Sequence, residues 1–453
     1  MDDLSRRNWL ATVALAGTGL AENRASGNAT AIGAHIRGGS AANSFARNVL
    51  EFGARGDAKT DNTAAFQKAL DAAYSAGGGI VHVPPGRYFF RGHLTMPANT
   101  SLEGVFLAPP AYIHANPASG SVLLPTEGRG RANGPPFIGV NGNNCTICGL
   151  GIYYPDQDPT AAEPAAYPWA IGPATAAQVE DLSVMDVALT NPYQGINLAG
   201  APRHYIARVY GHPIKTGLIV DHVEDIGRIE NIHFWPFWAK AGSPVCNWIQ
   251  AHGTAFIFGR SDWQYVFNTF SWGYHIGYQF IQTPSGTCNG NFLGIGADST
   301  FEALRVDCAQ PASGLLITNG EFVGMIGDES QGFVIGPKNI GQVVMNNCGF
   351  WGPSNRIGTI QGTGPVSLIG CNFQAWDKNG RGAPAILCDG VPTTVMGCQF
   401  LTPGRKKAVG ITKGCAGAIV TGNTSMGSAF IVDRPGRLAR TRFQIHSNIA
   451  AGV

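Results

Sequence analysis

The sequence predicts an all-β solenoid of stacked coils, closed at its N-terminal end by one short helix. Three observations predict it. Gly supplies 62 of 453 residues and charged residues only 13%, which suits many short strands joined by tight turns rather than a helical protein. The middle of the chain repeats: Val179-Glu180-Asp181-Leu182 returns as Val223-Glu224-Asp225-Ile226, 44 residues later, which is two coils of 22. The last third repeats again, as apolar runs that each end in a phenylalanine.

The closing helix sits in the stretch from Val49 to Phe90. Phe66, Ala69, Leu70 and Ala73 fall at i, i+3, i+4 and i+7 and share one face. Asp61 or Thr63 can cap the first turn. Gly77 to Gly79 end the helix, because glycine takes a left-handed conformation with little strain. Ile80 to Val83 then reads as a strand and Pro84-Pro85-Gly86 as a turn. Asp57 and Asp61 read as turn and capping residues rather than catalysts.

The order of parts from Phe52-Gly53-Ala54-Arg55-Gly56-Asp57 through Asp61-Asn62-Thr63-Ala64-Ala65-Phe66 to Gly86-Arg87-Tyr88 resembles the N-terminal signature of the pectate lyase-like superfamily. That group holds rhamnogalacturonase-type enzymes, sugar-polymer epimerases and phage tailspikes. The resemblance implies a right-handed parallel β-helix whose open end the short helix covers. An uncovered end would expose unpaired backbone groups and an apolar core. Polygalacturonase-type members carry Asn-Thr-Asp, Asp-Asp, Gly-His-Gly and Arg-Ile-Lys motifs. Apart from Asp2-Asp3, none of the four occurs here. Arg228-Ile229-Glu230 comes nearest and has glutamate where that family grips a uronate with lysine, so no catalytic residue carries over.

Strands follow the cap at Leu94–Met96, Ser101–Gly104, Phe137–Val140 and Thr146–Leu150. Residues 108–136 and 153–177 are long excursions, the places where a repetitive scaffold usually binds ligands. Val187, Val209 and Ile232 are expected to point inward, which turns Asp186, Arg208 and Asn231 outward as one column and Ala188, Tyr210 and His233 as the next. Phe322, Phe350, Phe373 and Phe400, with Cys348, Cys371 and Cys398 two places earlier, are expected to form inward stacks.

Ser5-Arg6-Arg7-Asn8-Trp9-Leu10 leads into an apolar run ending at Leu20, too short to span a bilayer. It resembles a twin-arginine export signal. Residues 1–25 are read as that signal, 26–48 as a linker and 49–453 as one β-helix domain, periplasmic or extracellular, with no membrane span in the mature chain. A net charge of +2 implies no broad pull on nucleic acid. The ten cysteines leave two states open. An even count in an exported chain suggests disulfides, whereas folding before export, in a reducing compartment, gives free thiols. Cys145 and Cys148 have metal-knuckle spacing without a second pair, so no metal site is assigned.

Chemistry is expected within residues 203–307. Five of nine tryptophans lie between 235 and 272, and six of eleven histidines between 204 and 275. Rings stack on sugar faces, and paired carboxylates do acid–base work at glycosidic bonds. Glu230, Asp262 and Asp298 are the candidate catalytic acids. His233, Trp235, Trp238, Trp263 and Arg228 are the candidate substrate-binding residues. The two excursions are expected to wall the groove. The repeated Val-Glu-Asp gives Asp181 and Asp225 a turn role.

The expected partner is a polysaccharide, and the expected function is its cleavage by paired carboxylates. A lyase is the variant, with Arg228 or Lys240 as the nearest cationic bases and calcium to hold a uronate. A non-catalytic glycan-binding spike is the alternative. Tailspikes of the superfamily trimerise, so the resemblance also carries a homotrimer as an expectation.

Overall fold

The computed structural model describes residues 45–106, 108, 120–390, 392–426, 430–436 and 441–451. The Arg6-Arg7 segment expected to direct export, and the linker as far as Ser44, lie outside the described residues. Phe45 onward forms one compact unit. The solenoid starts earlier than the sequence suggests: Ala46–Asn48 is already a strand, in parallel register with Ile80–His82.

Two parallel sheets run along the unit. Among the described residues the larger holds 27 strands and the smaller 13. The capping helix, α1 (Thr63–Ser75), buries Phe66, Ala69, Leu70 and Ala73 as the periodicity predicts. Asp61 Oδ1 accepts from the Thr63 amide at 3.0 Å. Asp57 accepts from the Thr60 and Lys59 amides, and these bonds, the Thr60 amide foremost, hold its carboxyl down at about 2. Asn62 is the buried pin of the signature. It accepts from the Arg55 amide at 2.7 Å and donates to the Thr60 carbonyl at 2.7 Å.

A bend divides the larger sheet into two arms. One residue per coil turns left-handed there: Gly149, Asp186, Arg208, Asn231, Asn268, Gly294, Asn319, Asn347, Gly370, Gly397, Gly422 and Ser447, with φ between 50° and 74°. This conformation is unfavourable for most side chains and tolerable for Asn, Asp and Gly, which accounts for ten of these twelve residues, Arg208 and Ser447 being the exceptions. The asparagines also bond along it. Asn268 Nδ2 donates to Asn231 Oδ1 at 2.7 Å, and Asn347 Nδ2 to Asn319 Oδ1 at 2.8 Å. At another corner Arg203 bonds Asp181 at 2.9 Å and Asp225 at 3.1 Å, so both acids of the repeated Val-Glu-Asp have the expected turn role.

The core lies between the sheets in columns. Val187, Val209 and Ile232 point inward. Phe322, Phe350, Phe373 and Phe400 are buried and stack with centroids 5.3, 5.3 and 4.9 Å apart. Cys348, Cys371 and Cys398 form the neighbouring buried column, and all ten cysteines are free thiols. Among the described residues no helix is long and apolar enough to cross a membrane.

Candidate functional site

Beyond the left-handed bend, each second-arm strand alternates inward and outward residues. Parallel register aligns Ala188, Tyr210, His233, Phe270, Gly296 and Glu321 in one column. Ala188 is buried, in contrast to its expected outward exposure. Phe106, ahead of the first excursion, stacks over its neighbour Tyr210 at 6.1 Å. In the adjacent column Trp272 pairs with Asp298.

These columns line a groove. One part, of about 710 Å³, is bounded by Arg208, Tyr210, His233, Trp235, Phe237 and Phe270. The adjoining part, of about 260 Å³, is bounded by Asp298, Asn319, Glu321 and Trp351. Asn268 and Phe270 line both, so the two are continuous. His233 packs edge-on against Phe237 at 5.3 Å and Phe270 at 5.5 Å, and Trp235 lies 5.3 Å from Trp272. The floor is thus aromatic, with exposed ring edges and faces suited to sugar rings.

Charge is placed at both ends. Arg208 forms a fork with both carboxylate oxygens of Asp186, one at 2.6 Å. Burial lowers the His233 pKa, so its imidazole is neutral at pH 7. At the other end burial raises the Asp298 carboxyl, and the nearby charge of Glu321 raises it further, against hydrogen bonds from Ser299. Glu321 Oε1 accepts from Trp351 Nε1 at 2.8 Å. Two neighbouring carboxyls in different surroundings favour a split of roles between acid and base.

The predicted residues are dispersed. His233 and Trp235 line the aromatic part, and Asp298 the acidic part. Glu230 lies on the first arm, before the bend, where Tyr205 Oη donates to Glu230 Oε1. Asp262 sits at the corner leading into the first arm. Arg260 bonds it at 2.7 Å, Gln310 at 2.8 Å and Asn289 at 2.9 Å, which ties neighbouring coils together. The three acids therefore do not converge, and the neighbour of Asp298 is Glu321, which sequence reasoning missed. Trp238 is buried and presents no face to a ligand, in contrast to its expected role. Trp263 is exposed, but on the first arm, as is Arg228.

Among the described residues neither excursion lines this groove, in contrast to the expectation. Tyr154 and Tyr167 are buried against each other at 4.7 Å, and Gln194 Nε2 on the smaller sheet donates to the carbonyls of Ala132 and Tyr167. A third excursion, carrying Trp235, Phe237 and helix α2 (Pro244–His252), supplies the wall instead. Among the described residues no three His, Cys, Asp or Glu side chains are grouped to hold a metal.

Comparison with known proteins adds the lineage. Residues 46–221 match the family described as rhamnogalacturonase A/epimerase, pectate lyase-like. Alginate lyase 7 of Azotobacter vinelandii is 61% identical over 41 residues, 9% of this chain and 5% of that protein. Mannuronan C5-epimerase AlgE2 of the same organism is 47% identical over 64 residues, 13% of this chain and 6% of that protein. The chain therefore spans about a twentieth of the length of these curated relatives. Among solved structures, pre-mature bacteriophage phi29 gene product 12 superposes with a TM-score of 0.55 at 12% identity, covering 89% of this chain and 56% of that one, a likeness of fold. With its stacked parallel coils and capping helix the chain is a parallel β-helix, and its residues 46–221 are similar to the pectate lyase-like family.

Proposed function

We propose that the second-arm groove binds a polysaccharide and that Asp298 and Glu321 carry out proton transfer on it. The observation that carries this reading is the half-buried Asp298, its carboxyl raised by burial and by Glu321, at the end of an aromatic groove. A carboxyl whose pKa is raised beside a second carboxyl is the equipment for glycosidic hydrolysis, with one group as acid and the other as base or nucleophile. The rings of Tyr210, His233 and Phe270 would seat sugar units. The similarity to an alginate lyase and a mannuronan C5-epimerase supports a carbohydrate-active role.

A second reading rests on Arg208, Tyr210 and His233, which line one part of the groove. There a guanidinium would neutralise a uronate carboxylate, and a neutral imidazole beside a phenol would remove the adjacent proton, as a lyase or an epimerase requires. A divalent cation such as calcium would assist that chemistry by holding the carboxylate. The site would work outside the cytoplasm, in keeping with the Arg6-Arg7 signal. Incubating the protein with a uronate polymer and with neutral polysaccharides separates the readings. New reducing ends without unsaturation mean hydrolysis. Ultraviolet absorbance from unsaturated ends means a lyase. Solvent deuterium at C5 in an uncut polymer means an epimerase. Retention of the polymer without any of these leaves a glycan-binding module.

A further inference from the structure

A second opening lies on the smaller sheet, in the C-terminal coils. Arg356, Arg381 and Arg434 line one cleft of about 570 Å³. Arg356 and Arg381 also line an adjoining recess of about 160 Å³. Neighbouring acids are already engaged: Asp433 pairs with Lys407 at 2.8 Å, and Asp328 with Lys378 at 3.1 Å. Glu329, in the recess, offsets part of the charge on Arg356. Among the described residues none of the three arginines forms an ion pair within 4.0 Å. Arg356 is half-buried, and its Nε is buried without an acceptor. Burial accordingly lowers its pKa.

Guanidinium groups facing one cleft repel one another, and a buried N–H without an acceptor is unfavourable. An oxyanion relieves both. Carboxylate and sulfate match the planar guanidinium fork in two-point hydrogen bonds, and several forks in one cleft suit an anion held from more than one side. The cleft is built on the strands Ile386–Cys388 and Lys407–Ile411 of the smaller sheet, which contribute Leu387, Gly410 and Ile411, apart from the groove on the second arm.

We propose that this cleft is an anion-binding subsite that holds an oxyanion of an acidic glycan chain, a carboxylate or a sulfate group. The proposal does not depend on which reaction the groove performs.

The test is titration calorimetry on the full chain with three probes: an oligouronate of defined length, a neutral oligosaccharide of the same length, and inorganic sulfate. Arg381→Gln/Arg434→Gln is the test variant, since both side chains are more exposed than Arg356 and the fold is checked by melting. Lys338→Gln, in a different cleft, controls for general charge. The expected result is oligouronate binding that falls about tenfold or more in the arginine variant, about 1.4 kcal/mol, and holds in Lys338→Gln. Sulfate that competes in the wild type alone supports a site for small oxyanions. Sulfate that does not compete, with oligouronate binding still lost in the arginine variant, supports a site for chain-borne carboxylate. Equal oligouronate affinity in wild type and arginine variant overturns the proposal. So does an equal loss in Lys338→Gln, or a loss of neutral oligosaccharide binding in the arginine variant.

Discussion

Trp351 Nε1 donates a 2.8 Å hydrogen bond to Glu321 Oε1, one coil below it, and so fixes the second carboxylate of the groove near Asp298. Because Glu321 contributes to the raised Asp298 carboxyl, Glu321→Gln should lower the Asp298 titration midpoint, followed by carboxyl-carbon NMR. The raised pKa also has a stability sign. The folded state favours protonated Asp298, so wild type loses stability relative to Asp298→Asn as pH rises through that raised midpoint. An Asp298 midpoint unchanged in Glu321→Gln would show that the two carboxyls are not coupled.

The phenylalanine column sets the strength of the C-terminal coils. Phe373 is fully buried between Phe350 and Phe400. Phe373→Ala should destabilise the protein by ~3–5 kcal/mol through lost burial and a cavity. Chemical denaturation measures this directly, and a change within about 0.5 kcal/mol would contradict the stacked core.

Acid should unfold the middle coils. His204 and His212 are buried, and burial pushes them down to about 4 and about 3. Both fold as neutral imidazoles, so their stabilisation is complete above the ordinary histidine value and is lost as pH falls from about 6.5 toward those lower values. The loss is on the order of 3 kcal/mol per histidine at full titration. Melting temperature should therefore fall steeply between neutral pH and pH of about 4, and His204→Gln should flatten the curve. A wild-type curve that is flat over this range would contradict the buried neutral state.

Export is a proposal carried by Arg6 and Arg7. Replacing both with lysine should keep the protein in the cytoplasm, as fractionation and immunoblotting would show. Unchanged export would remove the twin-arginine reading.

The fold was legible because its signals are local or strictly periodic. The segment around Asn62 and Phe66 names the cap, and Phe350, Phe373 and Phe400 name the core by their spacing. The site was legible in part. His233 and Trp235 stood out by the density of His and Trp around them, but density carries no burial, so Trp238 was grouped with them although it packs inside. Glu321 and Trp351 were passed over because they sit among the Phe and Cys ladders, in strands read as plain scaffold. Carrying the outward column forward one coil at a time, from His233 to Phe270, Gly296 and Glu321, would have reached the missing acid. Asp262 misled for the converse reason. Its neighbours Ser261 and Trp263 gave it a distinctive context, while its partners Asn289 and Gln310 lie one and two coils away.

The central claim is that Asp298 and Glu321 act together in the second-arm groove. The measurement that tests it most directly is the turnover of wild type, Asp298→Asn and Glu321→Gln on the polysaccharide that the wild type modifies, with melting curves confirming the fold. The account predicts that each amide lowers kcat by roughly 10²–10⁴-fold and that the double variant is little worse than the weaker single. Full turnover in both single variants, with folding intact, would contradict it.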